Sequence, residues 1–331
     1  MESLHETLHN CRAHAQRHGG RRRRCVVCGR TWTVHQRKQG RKKLRVERDL
    51  PRRLLLEKQP ARGLMRRRRS SSAAFYRRAR AAFEYLAAKP YWPQLPQKGE
   101  LILLVDGLWF RFRGTDFVLY TLALKALQSN VVHLLDPMLL EGHESGERWQ
   151  QVIAEAIGSD VSWRIRALVA DGFRGAHRIV AEHGWVYQRC HWHLLSVLQG
   201  LRGAKRSRVH GCVMREAIYQ LVCEILVTTD EQRVLELSGQ LRLLAQDQYL
   251  RNRRIRYLVG GLLRDLDHFR AYLRHPELRL PNTGDVLKSQ HALIRQAVNC
   301  VNSPSTALTR AKALIRLHPT LTCNTPENPQ N

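Results

Sequence analysis

Acidic residues are scarce in this chain. Its 331 residues hold 28 Asp and Glu against 56 Lys and Arg, which leaves a formal charge of +28. Also lacking is any run of the ~20 apolar residues that a membrane-spanning helix needs, and no amphipathic anchor stands out. A membrane is therefore not an expected partner. The opening stretch MESLHETLHNCRAHAQ has no apolar segment of the kind that secretion requires, so export is not expected. In a chain that stays in a reducing compartment, the eight Cys read as thiols or metal ligands and not as disulfides.

What is present is enough apolar content, 43% of residues, to build one large core and two or three domains. The positive charge is unevenly placed. Residues 1–80 contain 25 basic and 5 acidic residues, a net of +20 in the first quarter. Such a surplus favours a polyanionic partner, because each neutralised phosphate releases condensed counterions. Nucleic acid is the leading candidate.

The first segment, CRAHAQRHGGRRRRCVVCGRTWTV, contains Cys25 and Cys28 as a C-x2-C knuckle closed by Gly29, with Cys11 and His14 as a C-x2-H pair upstream. Two short turns that bring four such ligands into a tetrahedron form a zinc ribbon, and so small a module gains its folding free energy from Zn2+. His5, His9 and His18 compete for the first pair. The alternative is a set of surface thiols and histidines in a basic tail. The expected module covers residues 1–35, and a basic arm or linker follows over 36–98. Arg21, Arg22, Arg23, Arg24, Arg41, Lys42, Lys43, Arg66, Arg67, Arg68 and Arg69 are the candidate contacts to a DNA backbone, with RRRRSSS (66–72) read as a mobile connector.

From Ala73 the pattern changes. AAFYRRARAAFEYLAAK has helical spacing, LILLVDG (101–107) reads as a buried strand, and LWFRFRG (108–114) as a half-buried one. Two further strand-like runs, TDFVLYTLALKAL and NVVHLLDPMLL, follow. Then come a helix in GERWQQVIAEAIG, a strand in WRIRALVADG, a helix closed by Gly184 and a short strand in WVYQRC. Residues 191–275 are helical in pattern, and a last helix covers about 284–300. This order predicts an α/β fold, a mixed sheet flanked by helices and interrupted by a helical insertion.

Two of the apolar runs finish in Asp-Gly, which places Asp106 and Asp171 at strand ends where side chains from different strands converge. A carboxylate pair of this kind suits Mg2+ or Mn2+, hard ions that prefer oxygen ligands. Ordinary turn chemistry is the competing explanation for each Asp-Gly taken alone.

The ordered set LLVDG, LVADGFRGAH and RCHWH resembles the DDE transposases of the Mutator-like group and the related bacterial insertion-sequence enzymes, over roughly residues 100–300. The resemblance implies a ribonuclease H-like catalytic core (99–190), a helical insertion (191–280), a final core helix (281–305) and a C-terminal tail (306–331). It also implies Asp106 and Asp171 as metal ligands, and Cys190 and His193 as a supporting C-x2-H signature. Double-stranded DNA as substrate, a homodimer, and a cytoplasmic, nucleoid-associated location in a bacterium follow from the same likeness.

The chain departs from the family at the third acid. Where the family reads T-T-N-x-x-E, this chain reads TGDVLKSQHALIRQ, with Lys288 in the Glu position. Lys offers no oxygen, and at an effective dielectric near 20 its charge repels a cation about 4 Å away by on the order of 4 kcal/mol per unit of metal charge. Asp285, one turn earlier, is the candidate replacement, and Glu277 lies in the preceding loop. Three readings follow: an active transposase, a catalytically weak or inactive descendant that binds DNA, and a zinc-ribbon nucleic-acid adaptor.

Overall fold

The computed structural model describes residues 11–17, 20–34, 46–68, 70–202, 212–247, 250, 252–299 and 301–323. The chain divides into two compact units, 1–46 and 47–331.

In the first unit, β1 (Cys11–Arg17), β2 (Gly20–Cys25) and β3 (Thr31–Val34) form an antiparallel sheet in that order. The run of four arginines is thus a central strand and not a loose tail. Alternation along a strand puts Arg22 and Arg24 on one face and Arg23 on the other. The turn from β2 to β3 closes through Gly29 N–H to Cys25 O at 3.0 Å and Cys25 N–H to Arg30 O at 2.8 Å. Gly29 has φ +71°, a conformation that favours glycine.

The second unit opens with α1 (Leu50–Leu55), α2 (Ala61–Arg67) and α3 (Ser72–Ala87). Ser71 caps α3, its Oγ accepting Ala74 N–H at 3.3 Å. The connector expected at 66–72 is mostly taken up by the end of α2 and the start of α3, and Arg68 pairs with Glu47.

A mixed seven-stranded sheet forms the centre. β4 (Leu101–Phe112) and β5 (Thr115–Ala126) make a long hairpin, followed by β6 (Val131–Leu134) and β7 (Met138–Glu141). α4 (Gly146–Ala156), β8 (Ile165–Ala170), α5 (Ala176–His183) and β9 (Val186–Arg189) come next. A helical layer of α6 (His191–Leu201), α7 (Cys212–Val227), α8 (Glu231–Gln246) and α9 (Arg253–Arg264) precedes α10 (Asp285–Val298), α11 (Pro304–Leu317) and β10 (Thr320–Thr322). The strand order is β10-β6-β5-β4-β8-β9, with β7 also on β5; β8 and β9 run parallel to β4, and the other pairings are antiparallel.

The central strand is apolar on both faces because helices cover both. Leu101, Leu103 and Val105 pack with Trp149, Val152 and Ile179 from α4 and α5. Ile102 and Leu104 face the other way, toward Val286 and Leu287 of α10 and Ile315 of α11. Period-two alternation then aims Asp106 at the α10 face. The helical layer has its own core, including Leu198, Val222, Leu237 and Leu262.

Two features differ from the sequence expectation. LILLVDG and LWFRFRG are one strand: Asp106 sits in its interior opposite Thr121, because β5 pairs with β4 along its whole length. The turn comes later, at Arg113 (φ +50°) and Gly114 (φ +88°), whose left-handed pair matches the twist of a tight hairpin. The segment expected as a tail instead supplies α11 and the edge strand β10, with Leu314 and Ile315 buried and Arg316 Nη2 2.7 Å from Asp136 Oδ2. Among the described residues no helix is long and apolar enough to cross a membrane.

Each buried Leu or Ile contributes about 1.5–3 kcal/mol, a large share of a typical net stability of about 5–15 kcal/mol. Ending the chain after Ser303 removes Leu314, Ile315 and the Arg316–Asp136 pair together. The truncated protein is expected to lose its cooperative thermal transition by circular dichroism; an unchanged melting curve would show that α11 and β10 are dispensable.

Candidate active site

Register brings the two aspartates together. β4 and β8 pair as far as Leu104 with Val169, so two residues further on Asp106 and Asp171 stand at the same level, where β8 has just ended. Asp106 is buried and Asp171 is half exposed, at 5% and 51% of the side chain. Asp171 Oδ1 accepts Gly172 N–H at 2.6 Å, and its carbonyl accepts the Tyr187 hydroxyl at 2.9 Å. A Cβ at Gly172, the glycine after Asp171, would overlap the Arg189 guanidinium, which would have to shift.

The C-x2-H signature joins this pair from α6. His193 Nε2 lies 3.6 Å from Asp106 Oδ1 and 3.8 Å from Asp171 Oδ2. Burial opposes its charge, but hydrogen bonding to Asp106 and Cys190 and the charge of Asp171 outweigh it, and the imidazole pKa is held up to about 10. That shift favours the imidazolium at neutral pH. Cys190 acts through the backbone: its Sγ accepts Gly284 N–H at 3.0 Å, which ties the start of α6 to the start of α10. His191 is a core residue. Its Nε2 contacts Phe269 O at 2.6 Å, and burial pushes its pKa down to about 4.

α10 supplies the next contacts. Lys288 Nζ lies 2.6 Å from Asp106 Oδ2 and 5.0 Å from the Trp192 ring centre. One turn on, His291 Nε2 is 2.7 Å from Thr121 Oγ1, whose hydroxyl donates to Asp106 O at 2.6 Å. That hydroxyl proton is thereby used, so the neutral His291 donates from Nε2. Burial pushes His291 down to about 4, overriding the nearby Asp106 charge. Burial also acts to raise the Asp106 pKa, but hydrogen bonding to His193 and the charges of His291, Lys288 and His193 bring it below the usual carboxylate value.

A third carboxylate escaped sequence reasoning. Glu144 precedes α4, and its Oε1 accepts the Trp149 indole N–H at 2.6 Å. Gly107 makes room for it, because a Cβ at that position would lie 3.1 Å from Glu144 Oε1. Burial, reinforced by the charges of Asp171 and Asp106, raises its pKa. The spacing of Glu144 and Trp149, together with the glycine after Asp106, was the available signal.

Asp285 is not brought to this group. It is exposed in the first turn of α10 with Oδ1 accepting Val286 N–H at 2.8 Å, while Lys288 takes the contact with Asp106. Glu277 is exposed as well and lies 3.2 Å from His275. Both oxygens of Asp106 face protein nitrogens, Oδ1 the His193 ring at 3.6 Å and Oδ2 the Lys288 ammonium at 2.6 Å, and the Lys288 charge would repel an added Mg2+ or Mn2+. Among the described residues no cluster of three or more His, Cys, Asp or Glu is placed to hold a metal ion.

In the first unit, Cys11 is the cross-strand partner of Cys25, and Cys28 N–H approaches Cys25 Sγ at 3.4 Å. His14 is exposed beside a bulge in β1, three residues or roughly 10 Å along the strand from Cys11. Hence β1 brings Cys11, and not His14, to the knuckle end of β2. His5, His9 and His18 lie outside the described residues. Of the basic candidates, Arg21 lies on β2 with the half-buried Arg22 and the exposed Arg23 and Arg24, while Arg66, Arg67 and Arg68 are exposed at the end of α2. Arg41, Lys42, Lys43 and Arg69 lie outside the described residues.

No protein-family model matches this chain, and no curated protein matches it.

Removing one partner of a buried ion pair costs about 3–5 kcal/mol, and the 22% exposure of Lys288 places its loss near the lower end. Lys288→Met is expected to destabilise the protein by about 3 kcal/mol at neutral pH in urea unfolding, and adding Asp106→Asn should recover most of that. Independent, additive losses in this double-mutant cycle would refute the coupling. Because the native pKa of Asp106 lies below its unfolded value, its contribution is present above the unfolded pKa and fades as pH falls through the native one. The Lys288→Met penalty should shrink in parallel.

Proposed function

We propose that this chain is a DDE-type transposase relative that binds double-stranded DNA and has lost or greatly lowered metal-dependent strand cleavage. The observation that carries this reading is the Lys288 Nζ contact with Asp106 Oδ2 at 2.6 Å, made from the helix position where the resemblance calls for an acid. The strand order supports a ribonuclease H-like core: an antiparallel β6-β5-β4 set continued by parallel β8 and β9. A helical layer between β9 and α10 matches the expected insertion, and the level pairing of Asp106 with Asp171 matches the expected carboxylates.

The chemistry of the centre is self-neutralising. Two carboxylates, Asp106 and Asp171, are balanced by the Lys288 ammonium and the His193 imidazolium, with Glu144 nearby. Two divalent ions would supply a nucleophile and stabilise a leaving oxygen in phosphoryl transfer. The residues present substitute fixed protein charge for them, which holds the fold but activates no water. DNA binding is assigned to the basic strand β2 and the α2 arginines, and pairing of two DNA ends would require two copies of the chain.

The experiment is Mn2+-dependent nicking of DNA carrying the element's ends. The parent chain should show little or none, Lys288→Glu should raise nicking at least tenfold, about 1.4 kcal/mol in barrier, and Lys288→Glu with Asp171→Ala should lose it again. Strong nicking by the parent chain that vanishes with Asp171→Ala would reverse the conclusion and make this an active transposase.

For the first unit we propose a structural Zn2+ held by the Cys25–Cys28 knuckle and completed to four ligands by the upstream Cys and His residues. Elemental analysis should find one zinc per chain, lost in Cys25→Ser with Cys28→Ser. Retention of zinc by the double Cys variant would remove the ribbon.

A further inference from the structure

The helical layer contains a groove that none of the chemistry above uses. It lies between α8 and α9 and has a volume of about 570 Å3. Its floor is apolar, from Ala245, Val259 and Leu263, and its walls carry Arg242, Arg256 and Arg264. No carboxylate lines it among the described residues. Asp265 follows the lining residue Arg264; its Oδ1 is 3.3 Å from Arg264 Nε, and its Oδ2 is held by Arg189 at 2.6 Å. Arg256 donates from Nη2 to the Asp247 carbonyl at 2.9 Å, which orients the guanidinium. Three exposed arginines therefore share one concave surface, a concentration of positive charge that complements a bound anion.

α9 is built around the same surface. Arg253, Arg256, Gly260 and Arg264 are spaced three, four and four residues apart and share one face, a row about 16 Å long. Glycine inside a helix costs about 1 kcal/mol relative to alanine. Gly260 has no packing reason to be glycine, since a Cβ there would meet nothing within 4 Å. What its missing side chain does provide is open access to the helix backbone between two arginines. Tyr257 on the same helix is 76% exposed and offers an unpaired aromatic face beside the row.

We propose that the groove between α8 and α9 is a second nucleic-acid contact, with Arg242, Arg256 and Arg264 receiving backbone phosphates and Gly260 leaving room for the strand. The proposal rests on the DNA-binding reading above. The shared chemistry is a phosphate anion, which a free nucleotide also presents, so both are tested.

The test uses the full chain and a duplex of roughly 30 base pairs, with affinity measured by fluorescence anisotropy from about 50 to 200 mM salt. Each phosphate contact contributes about 0.9 to the slope of log affinity against log salt. Replacing Arg242, Arg256 and Arg264 by Gln should make that slope shallower by about 2–3, while replacing the same three by Lys should keep it. Gly260→Glu places a negative charge at the centre of the row without a clash and with better helix propensity. It should weaken binding at least tenfold with an equal or higher melting temperature. If the parent chain binds DNA and Gly260→Glu and the Gln variant bind it equally well, the groove is not a contact. If the parent chain binds no DNA, the reading beneath the proposal falls with it. If Gly260→Glu loses ATP binding but keeps DNA binding, the ligand is a free nucleotide and the backbone assignment is overturned.

Discussion

The ammonium of Lys288 on the carboxylate of Asp106 is the contact around which the second unit is arranged. Asp106 lies in the interior of the central strand, 5% exposed, where an unpaired charge is several kcal/mol out of balance. Its partners come from elements far away in sequence: Lys288 from α10 and His193 from α6, while His291 of α10 reaches the Asp106 carbonyl through Thr121. Cys190 joins the starts of those two helices by accepting the Gly284 amide. The position of α10 over the sheet is thus set by apolar packing of Val286 and Leu287 and by the need to compensate one buried charge.

On the proposed reading, that compensation also sets the chemistry. A carboxylate pair at the rim of a sheet is a general device for holding hard cations. Here the same geometry is filled from within, by an ammonium and an imidazolium that cannot leave. On the proposed reading, these two side chains stand where the exchangeable coordination of metal-assisted hydrolysis would be. Glu144 adds a third carboxylate whose raised pKa reflects burial and like charges, so the carboxylates still press on one another despite the added cations.

Much of this was legible in the sequence because period and punctuation were clear. The apolar run 101–105 and the helix closed by Gly184 each pointed to one local structure, and two runs finishing in Asp-Gly pointed to converging carboxylates, although Asp106 lies within its strand and not at its end. What escaped detection depended on partners distant in the chain. Asp106-Gly107 resembled a turn, but β5 pairs through it, and the glycine instead admits Glu144. His291 carried no signal until α10 was laid against Thr121. Asp285 and Lys288 lie one turn apart, and only the fit of α10 to the sheet separates the residue that reaches Asp106 from the one that faces solvent. In the first unit, the strand pairing that sets Cys11 opposite Cys25 was likewise invisible to a count of spacings.

The edge strand Thr320–Thr322 has a consequence for how the molecule is made. It pairs with Val131–His133, so the sheet edge stays open until nearly the last described residue has been added. Lys288 follows Asp106 by 182 residues, which at about 5–20 residues per second is roughly 10–40 s of synthesis. Throughout that interval the central strand carries a carboxylate with its final partner still unmade. The small arginine-rich sheet of the first unit has all its strands by residue 34 and closes without waiting. As the chain is made, the strands of this sheet are therefore complete well before Asp106 meets Lys288.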